Sequence, residues 1–107
     1  MQASDAARVI DVDRETLKRG LADGSIVLVD VREPQEYAAG HIPGALSLPL
    51  STFDPSQLPD GERVVLSCGS GVRSARALAI AQHEGRDIRE HYKGGFKEWV
   101  GAGEPVE

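Results

Sequence analysis

Arg63-Val-Val-Leu-Ser67 runs without a break into Cys68-Gly-Ser-Gly-Val-Arg73, and an Ala/Leu/Ile-rich stretch follows from Ser74 to Glu84, closed by Gly85. The first segment is apolar and β-branched with no polar alternation, the pattern of a strand covered on both faces. The last is made of good helix formers with a glycine placed as its C-terminal stop. A second run of the same kind, Ile26-Val-Leu-Val-Asp-Val31, lies upstream. Parallel strands need crossover connections, so two such runs separated by helical segments predict an α/β domain with a central, mostly parallel sheet flanked by helices.

Working outward, Asp13 is placed to cap a helix that presents Leu17 and Leu21 on one face, with Val12 stapling against Leu17 and Gly24 as the stop. Pro34 to Ala39 predicts a brief helix ended by Gly40, and Ala45-Leu-Ser-Leu48 a short strand closed by Pro49. Ser51 to Gly61, with Pro55 and Pro59, reads as a loop with room for one helical turn. Ile88 to Tyr92 is a weaker strand, interrupted by Arg89 and Glu90, and is expected to be short or to lie at the sheet's rim. Gly94-Gly95 leads into a last helix bearing Phe96, Trp99 and Val100, of which Phe96 and Trp99 read as core. No repeat or internal boundary is visible, so one domain is expected over residues 1–107, with its core at about 10–106.

The chain's 107 residues carry 12 basic and 17 acidic side chains, a formal charge of -5, with 40% hydrophobic and 27% charged residues. That composition is enough for one hydrophobic core. Phosphate-backbone binding needs clustered cations, which are missing here, so nucleic acid is not an expected partner. No apolar stretch approaches the roughly 20 residues that span a bilayer. The first eight residues show no cationic start followed by an apolar run, so a cytoplasmic setting without membrane attachment is expected.

Cys68 is the single cysteine. It is either a buried small hydrophobe at a strand end or a thiol with chemistry to perform. Ligands of open parallel sheets bind beyond the carboxyl ends of the strands, which is where Cys68 stands. Gly69 and Gly71 allow successive backbone N–H groups to converge on one anion, and the following helix adds the positive end of its dipole. If that anion is the Cys68 sulfur, its pKa falls below the free value of about 8.5. A metal site is not expected, because one cysteine and histidines at 41, 83 and 91 have no zinc-like spacing, and the loop lacks the Gly-Lys-Ser/Thr ending of a Walker loop. No cofactor is expected.

Several motifs then fall in a recognisable order: Val29-Asp-Val-Arg-Glu33, Glu36-Tyr37 with Gly40-His-Ile-Pro-Gly-Ala45, Cys68-Gly-Ser-Gly-Val-Arg-Ser74, Gly94-Gly95 with Trp99, and Gly103-Glu-Pro105. Together they make the chain resemble the rhodanese family in its single-domain form, from about Ile10 to Val106. The resemblance implies a sulfurtransferase in which Cys68 takes sulfane sulfur from a donor as a persulfide and passes it to a nucleophilic acceptor. Gly69, Ser70, Gly71, Val72 and Arg73 would present N–H groups to the persulfide as an oxyanion hole does to oxygen. Arg73 makes thiosulfate the leading donor, while the loop is also similar to those of 3-mercaptopyruvate users.

Two readings of Arg73 stay open: it greets an anionic donor, or it pairs with a carboxylate such as Asp30 and braces the loop. Ser74 is expected to cap the helix. Asp30, Arg32 and Glu36 are expected to form a structural ion-pair set, and His41 to be a hydrogen-bonding brace, since a nest-stabilised thiolate needs no base. Phosphatases of similar fold have five residues between Cys and Arg, whereas Cys68 and Arg73 enclose four, a ring better suited to one sulfur than to a phosphate. The alternative function is a persulfide carrier or protein-binding module with little turnover of small donors. With no second cysteine to resolve a persulfide, an outside acceptor is needed: cyanide, a small thiol or a thioredoxin-like dithiol protein. A monomer is expected.

Overall fold

The computed structural model describes residues 8–107. Its elements are β1 (Ile10–Val12), α1 (Arg14–Asp23), β2 (Ile26–Asp30), α2 (Pro34–Ala39), β3 (Leu46–Ser47), β4 (Arg63–Ser67), α3 (Val72–His83), β5 (Glu90–Tyr92) and α4 (Gly95–Gly101), with short 3-10 turns at Leu50–Thr52 and Pro55–Gln57. The five strands form one sheet in the order β1-β5-β4-β2-β3, and every neighbouring pair is parallel. At its centre β2 and β4 pair over five residues, from Ile26 against Arg63 to Asp30 against Ser67.

Both faces of that pair are covered, which is why the two runs are apolar without alternation. Val29, Val64 and Leu66 join Ala77, Leu78 and Ala81 of α3 on one face. Ile26, Leu28 and Val65 join Leu17 of α1 and Trp99 of α4 on the other. The period of two in the strands thus divides each run between two cores, and Trp99 is core as expected. Its indole N–H donates to the Pro105 carbonyl at 2.6 Å, pinning the C-terminal segment over this face.

α1 follows its sequence signals: Asp13 accepts a hydrogen bond from the Thr16 N–H at 2.8 Å, and Gly24 closes the helix in the left-handed region. β5 is short, as expected, and lies inside the sheet rather than at its rim, because β1 pairs along its outer side. Arg89 and Glu90, which weakened it in the sequence, both have partners: Glu90 pairs with Arg63 of β4, and Arg89 binds Asp87. α3 begins at Val72, not at Ser74, because Gly71 turns the chain at φ 92 and stands as the cap residue itself. Among the described residues no helix is long and apolar enough to cross a membrane.

At the carboxyl end of β2, Asp30 and Arg32 form a buried ion pair. The Arg32 guanidinium donates to both Asp30 oxygens and to the Gly40 carbonyl, and lies 4.2 Å over the Phe96 ring. Both side chains are about 5% exposed, so neither charge has water in reserve. Arg32→Met therefore leaves a buried carboxylate without its counter-charge, and is expected to remove about 3–5 kcal/mol of stability in urea unfolding. A loss below about 1 kcal/mol would show that Asp30 is satisfied without the guanidinium.

Candidate active site

Cys68 follows β4 directly, and its side chain is enclosed, with 1% of the residue exposed. The chain reverses over Gly69 to Gly71 and enters α3. The Gly71 N–H donates to the Cys68 sulfur at 3.1 Å, and the Ser74 hydroxyl oxygen stands 3.5 Å from that sulfur. Burial pushes the Cys68 thiol up, but the hydrogen bond of Ser74 and the backbone N–H groups of Ser74, Ser70 and Gly71 outweigh it and hold the thiol below its ordinary value.

Two glycines make this turn possible. Gly71 has φ 92, and a Cβ there would come within 2.7 Å of the Lys93 carbonyl oxygen. Gly95 has φ 69, and a Cβ there would stand 2.5 Å from the Gly69 carbonyl oxygen and 2.6 Å from that of Cys68. Because nothing fills that space, the first N–H groups of α4 reach the loop: Phe96 donates to the Cys68 carbonyl at 2.8 Å and Lys97 to the Gly69 carbonyl at 3.1 Å. The Gly94-Gly95 pair, read from the sequence only as an entry into a helix, is the floor on which the cysteine loop sits. Gly95→Ala is expected to cost ~2 kcal/mol or more, with the loss visible in unfolding and in a raised Cys68 pKa as the loop shifts. Unchanged values for both would remove the floor from its role.

The loop's side chains separate in role. Ser70 and Val72 point outward, with Val72 76% exposed, while Gly71 and Ser74 are buried. Ser74 does not cap α3; it lies within the helix, its hydroxyl within reach of the Gly71 carbonyl at 3.2 Å and of His91 Nδ1 at 2.7 Å. Arg73 takes the bracing geometry, but its partner is Glu36 of α2 at 2.6 and 3.1 Å, whereas Asp30 is engaged by Arg32. The expected Asp30, Arg32 and Glu36 set is therefore two separate pairs. His41 stacks on Tyr37 with ring centroids 3.8 Å apart, and its Nδ1 lies 3.0 Å from the Tyr37 carbonyl, away from the sulfur.

The Arg73 hydrogen bond pulls the Glu36 carboxyl down from 4.5 to about 2 against an opposing effect of burial, with help from the Glu33 N–H. A lowered folded-state pKa means that the pair's stabilisation is fully present above about pH 4.5 and is lost as the pH falls through about 2. Glu36→Gln is thus expected to be less stable than the parent at neutral pH, with the gap narrowing at about pH 3 in urea titrations. A gap that is constant with pH would contradict the assignment.

Sequence reasoning missed His91 and Asp11. His91 is 3% exposed, with Nδ1 on Ser74 and Nε2 3.0 Å from the Asp11 carboxylate of β1. The available signal was a histidine at the middle of a short strand otherwise destined for the sheet interior, where an imidazole needs partners on both nitrogens.

A family model described as Rhodanese-like domain matches residues 13–102. A sulfurtransferase of Allochromatium vinosum is 38% identical over 92% of this chain and 94% of its own length. A thiosulfate:glutathione sulfurtransferase of Saccharomyces cerevisiae is 30% identical over 95% of this chain and 86% of its own. The solved structure of a human single-domain sulfurtransferase matches with a TM-score of 0.71 and 30% identity, covering 85% of this chain and 95% of that one. Other curated relatives are longer: the chain spans 59% of one and 60% of another.

Proposed function

The chain belongs to the rhodanese-like domain family, and on that premise we propose that it transfers sulfane sulfur from thiosulfate to a thiophilic acceptor through a persulfide on Cys68. In the first half-reaction the Cys68 thiolate attacks the outer sulfur of thiosulfate. The sulfur–sulfur bond of the donor breaks, sulfite leaves with the bonding pair, and Cys68 carries the outer sulfur as a persulfide anion. In the second, cyanide or a thiolate attacks that outer sulfur and the Cys68 thiolate departs. No net oxidation and no cofactor are required.

The observation that carries this reading is the Cys68 sulfur at the carboxyl end of a central strand, hydrogen-bonded by the Gly71 N–H and held below its ordinary pKa. Gly69, Ser70, Gly71, Val72 and Arg73 supply a mainly main-chain cradle for the second sulfur, with the Ser70 hydroxyl at the exposed rim. The thiosulfate:glutathione name of the yeast relative supports thiosulfate as donor and a small thiol as acceptor. A reducing cytoplasm, with small thiols and thioredoxin-like dithiols at hand, suits a single-cysteine monomer that needs an outside acceptor.

One observation favours the second reading, a persulfide carrier docking to another protein. Arg73 is already neutralised by Glu36 and Cys68 is 1% exposed, so the loop's own cation is engaged and the sulfur is enclosed, which suits a small dianion poorly. Thiosulfate:cyanide turnover decides between them. Incubation with thiosulfate alone is expected to release one sulfite per chain and leave one added sulfur, about 32 Da in intact mass, absent in Cys68→Ser. Cyanide then restores continuous turnover. Retention of the added mass by Cys68→Ser would overturn the Cys68 assignment, and a loaded wild type that does not turn over with cyanide would favour the carrier.

A further inference from the structure

Behind the sulfur, four side chains from four parts of the fold stand in line. Cys68 Sγ is 3.5 Å from Ser74 Oγ of α3, which is 2.7 Å from His91 Nδ1 of β5, whose Nε2 is 3.0 Å from Asp11 Oδ1 of β1. The first three residues are buried, at 1%, 0% and 3% exposure, while the Asp11 side chain is 55% exposed. The line therefore runs from an enclosed thiol to the solvent edge of the sheet. We propose that His91 is a positioning residue for the sulfur chemistry, taking the Cys68 proton through the Ser74 hydroxyl and holding it as an imidazolium against Asp11.

Donor arithmetic supports the assignment. Ser74 has one hydroxyl proton, and a neutral His91 has one N–H. With Nε2–H donating to the Asp11 carboxylate, Nδ1 must accept, so the Ser74 proton points at His91 and the thiol donates its own proton to Ser74 Oγ. Two short transfers convert this state into the other: the S–H proton moves to Ser74 Oγ as the Ser74 proton moves to His91 Nδ1. Both imidazole nitrogens then donate, to Ser74 and to Asp11, and the Ser74 hydroxyl proton is free to turn to the sulfur or to the Gly71 carbonyl 3.2 Å away. No proton is gained or lost overall, and the thiolate acquires a cation two hydrogen bonds away. During turnover the charge on sulfur alternates between thiolate and persulfide anion, so the imidazolium keeps its proton throughout.

The surroundings leave this pairing undisturbed. From β1 the group facing His91 is Asp11, which also has Lys93 Nζ at 4.0 Å. From β4 its register partner is the apolar Leu66, and from α3 the polar contact is Ser74. Arg73, next to Ser74 in the chain, turns away to Glu36, and Arg89 binds Asp87.

The inference rests on the sulfur-transfer reading only for its purpose, and its test can be read without that reading. Ultraviolet thiolate absorbance, with Cys68→Ser as the blank, gives the Cys68 titration midpoint, and thiosulfate:cyanide kinetics give kcat and KM. His91→Asn keeps a hydrogen-bonding group near the Nδ1 position but cannot take a proton, so a merely structural histidine would tolerate it. The expected result is a midpoint raised by about one pH unit, roughly a tenfold smaller thiolate fraction near neutrality, with kcat lowered and KM little changed. Ser74→Ala should match it, and Asp11→Asn, at the exposed end, should shift the midpoint in the same direction by less. Should Ser74→Ala fail to fold, His91→Asn and Asp11→Asn carry the test. A His91→Asn protein with the parent's midpoint and kcat overturns the relay while leaving sulfur transfer intact. A wild type that neither loads nor turns over sulfur, yet shows the midpoint shift in His91→Asn, overturns the transfer reading and leaves the proton path standing.

Discussion

The five-residue parallel pairing of β2 with β4 sets the level at which everything functional emerges from the sheet. Its last register pair, Asp30 with Ser67, is extended by a hydrogen bond from the Val31 N–H to the Ser67 carbonyl at 2.8 Å. One residue further on, the two strands part: β2 turns into the buried Asp30–Arg32 pair and β4 into Cys68. The sulfur and its loop stand beside the ion pair because both are exits from the same ladder. α4 then locks the arrangement from outside, with its N-terminal amides on the loop carbonyls and Phe96 beneath the Arg32 guanidinium.

Charge around the sulfur is arranged by subtraction. Arg32 is consumed by Asp30, and Arg73 by Glu36. What remains directly against a developing anion is the Ser74 hydroxyl and, mainly, main chain, the amides at the start of α3, whose dipoles are fixed in place and need no reorganisation. A side-chain cation would have been more flexible and more strongly hydrated. The glycines at 69 and 71 therefore matter less as spacers than as the means of bringing peptide N–H groups close to sulfur.

Much of this was legible in the sequence because the signals were local. Asp13 and Gly24 bracket α1 by capping alone, and the unbroken apolar runs identify β2 and β4 because no other element explains both their length and their β-branching. The loop's anion-binding character followed from glycines between a strand and a helix. What escaped was long-range. Glu36 and Asp30 are equally plausible partners for Arg73 until the fold says which one is free. β1 is only three residues long with Ile10 half exposed, so it has no pattern of its own and becomes a strand only by pairing with β5. His91 was missed for the same reason: its partners, Ser74 and Asp11, lie 17 and 80 residues away.

That last separation has a consequence for the order in which the molecule can be put together as it emerges from a ribosome. β2 and β4 can begin to pair once residue 67 is free, and the cysteine turn can begin to form when α3 follows, while the other edge of β4 and the α4 side of the core wait for later residues. β1, although made first, has no neighbour until Glu90–Tyr92 appears. The strand that leads the chain is thus the last to be zipped into the sheet. Until it is, the outer edge of β5 is bare and His91 lacks the carboxylate on its far nitrogen. Closure of the edge and completion of the buried polar line are one event in assembly, and the α4 amides that hold the cysteine loop come later still in the chain, so pocket and electrostatics are both finished by its final stretch.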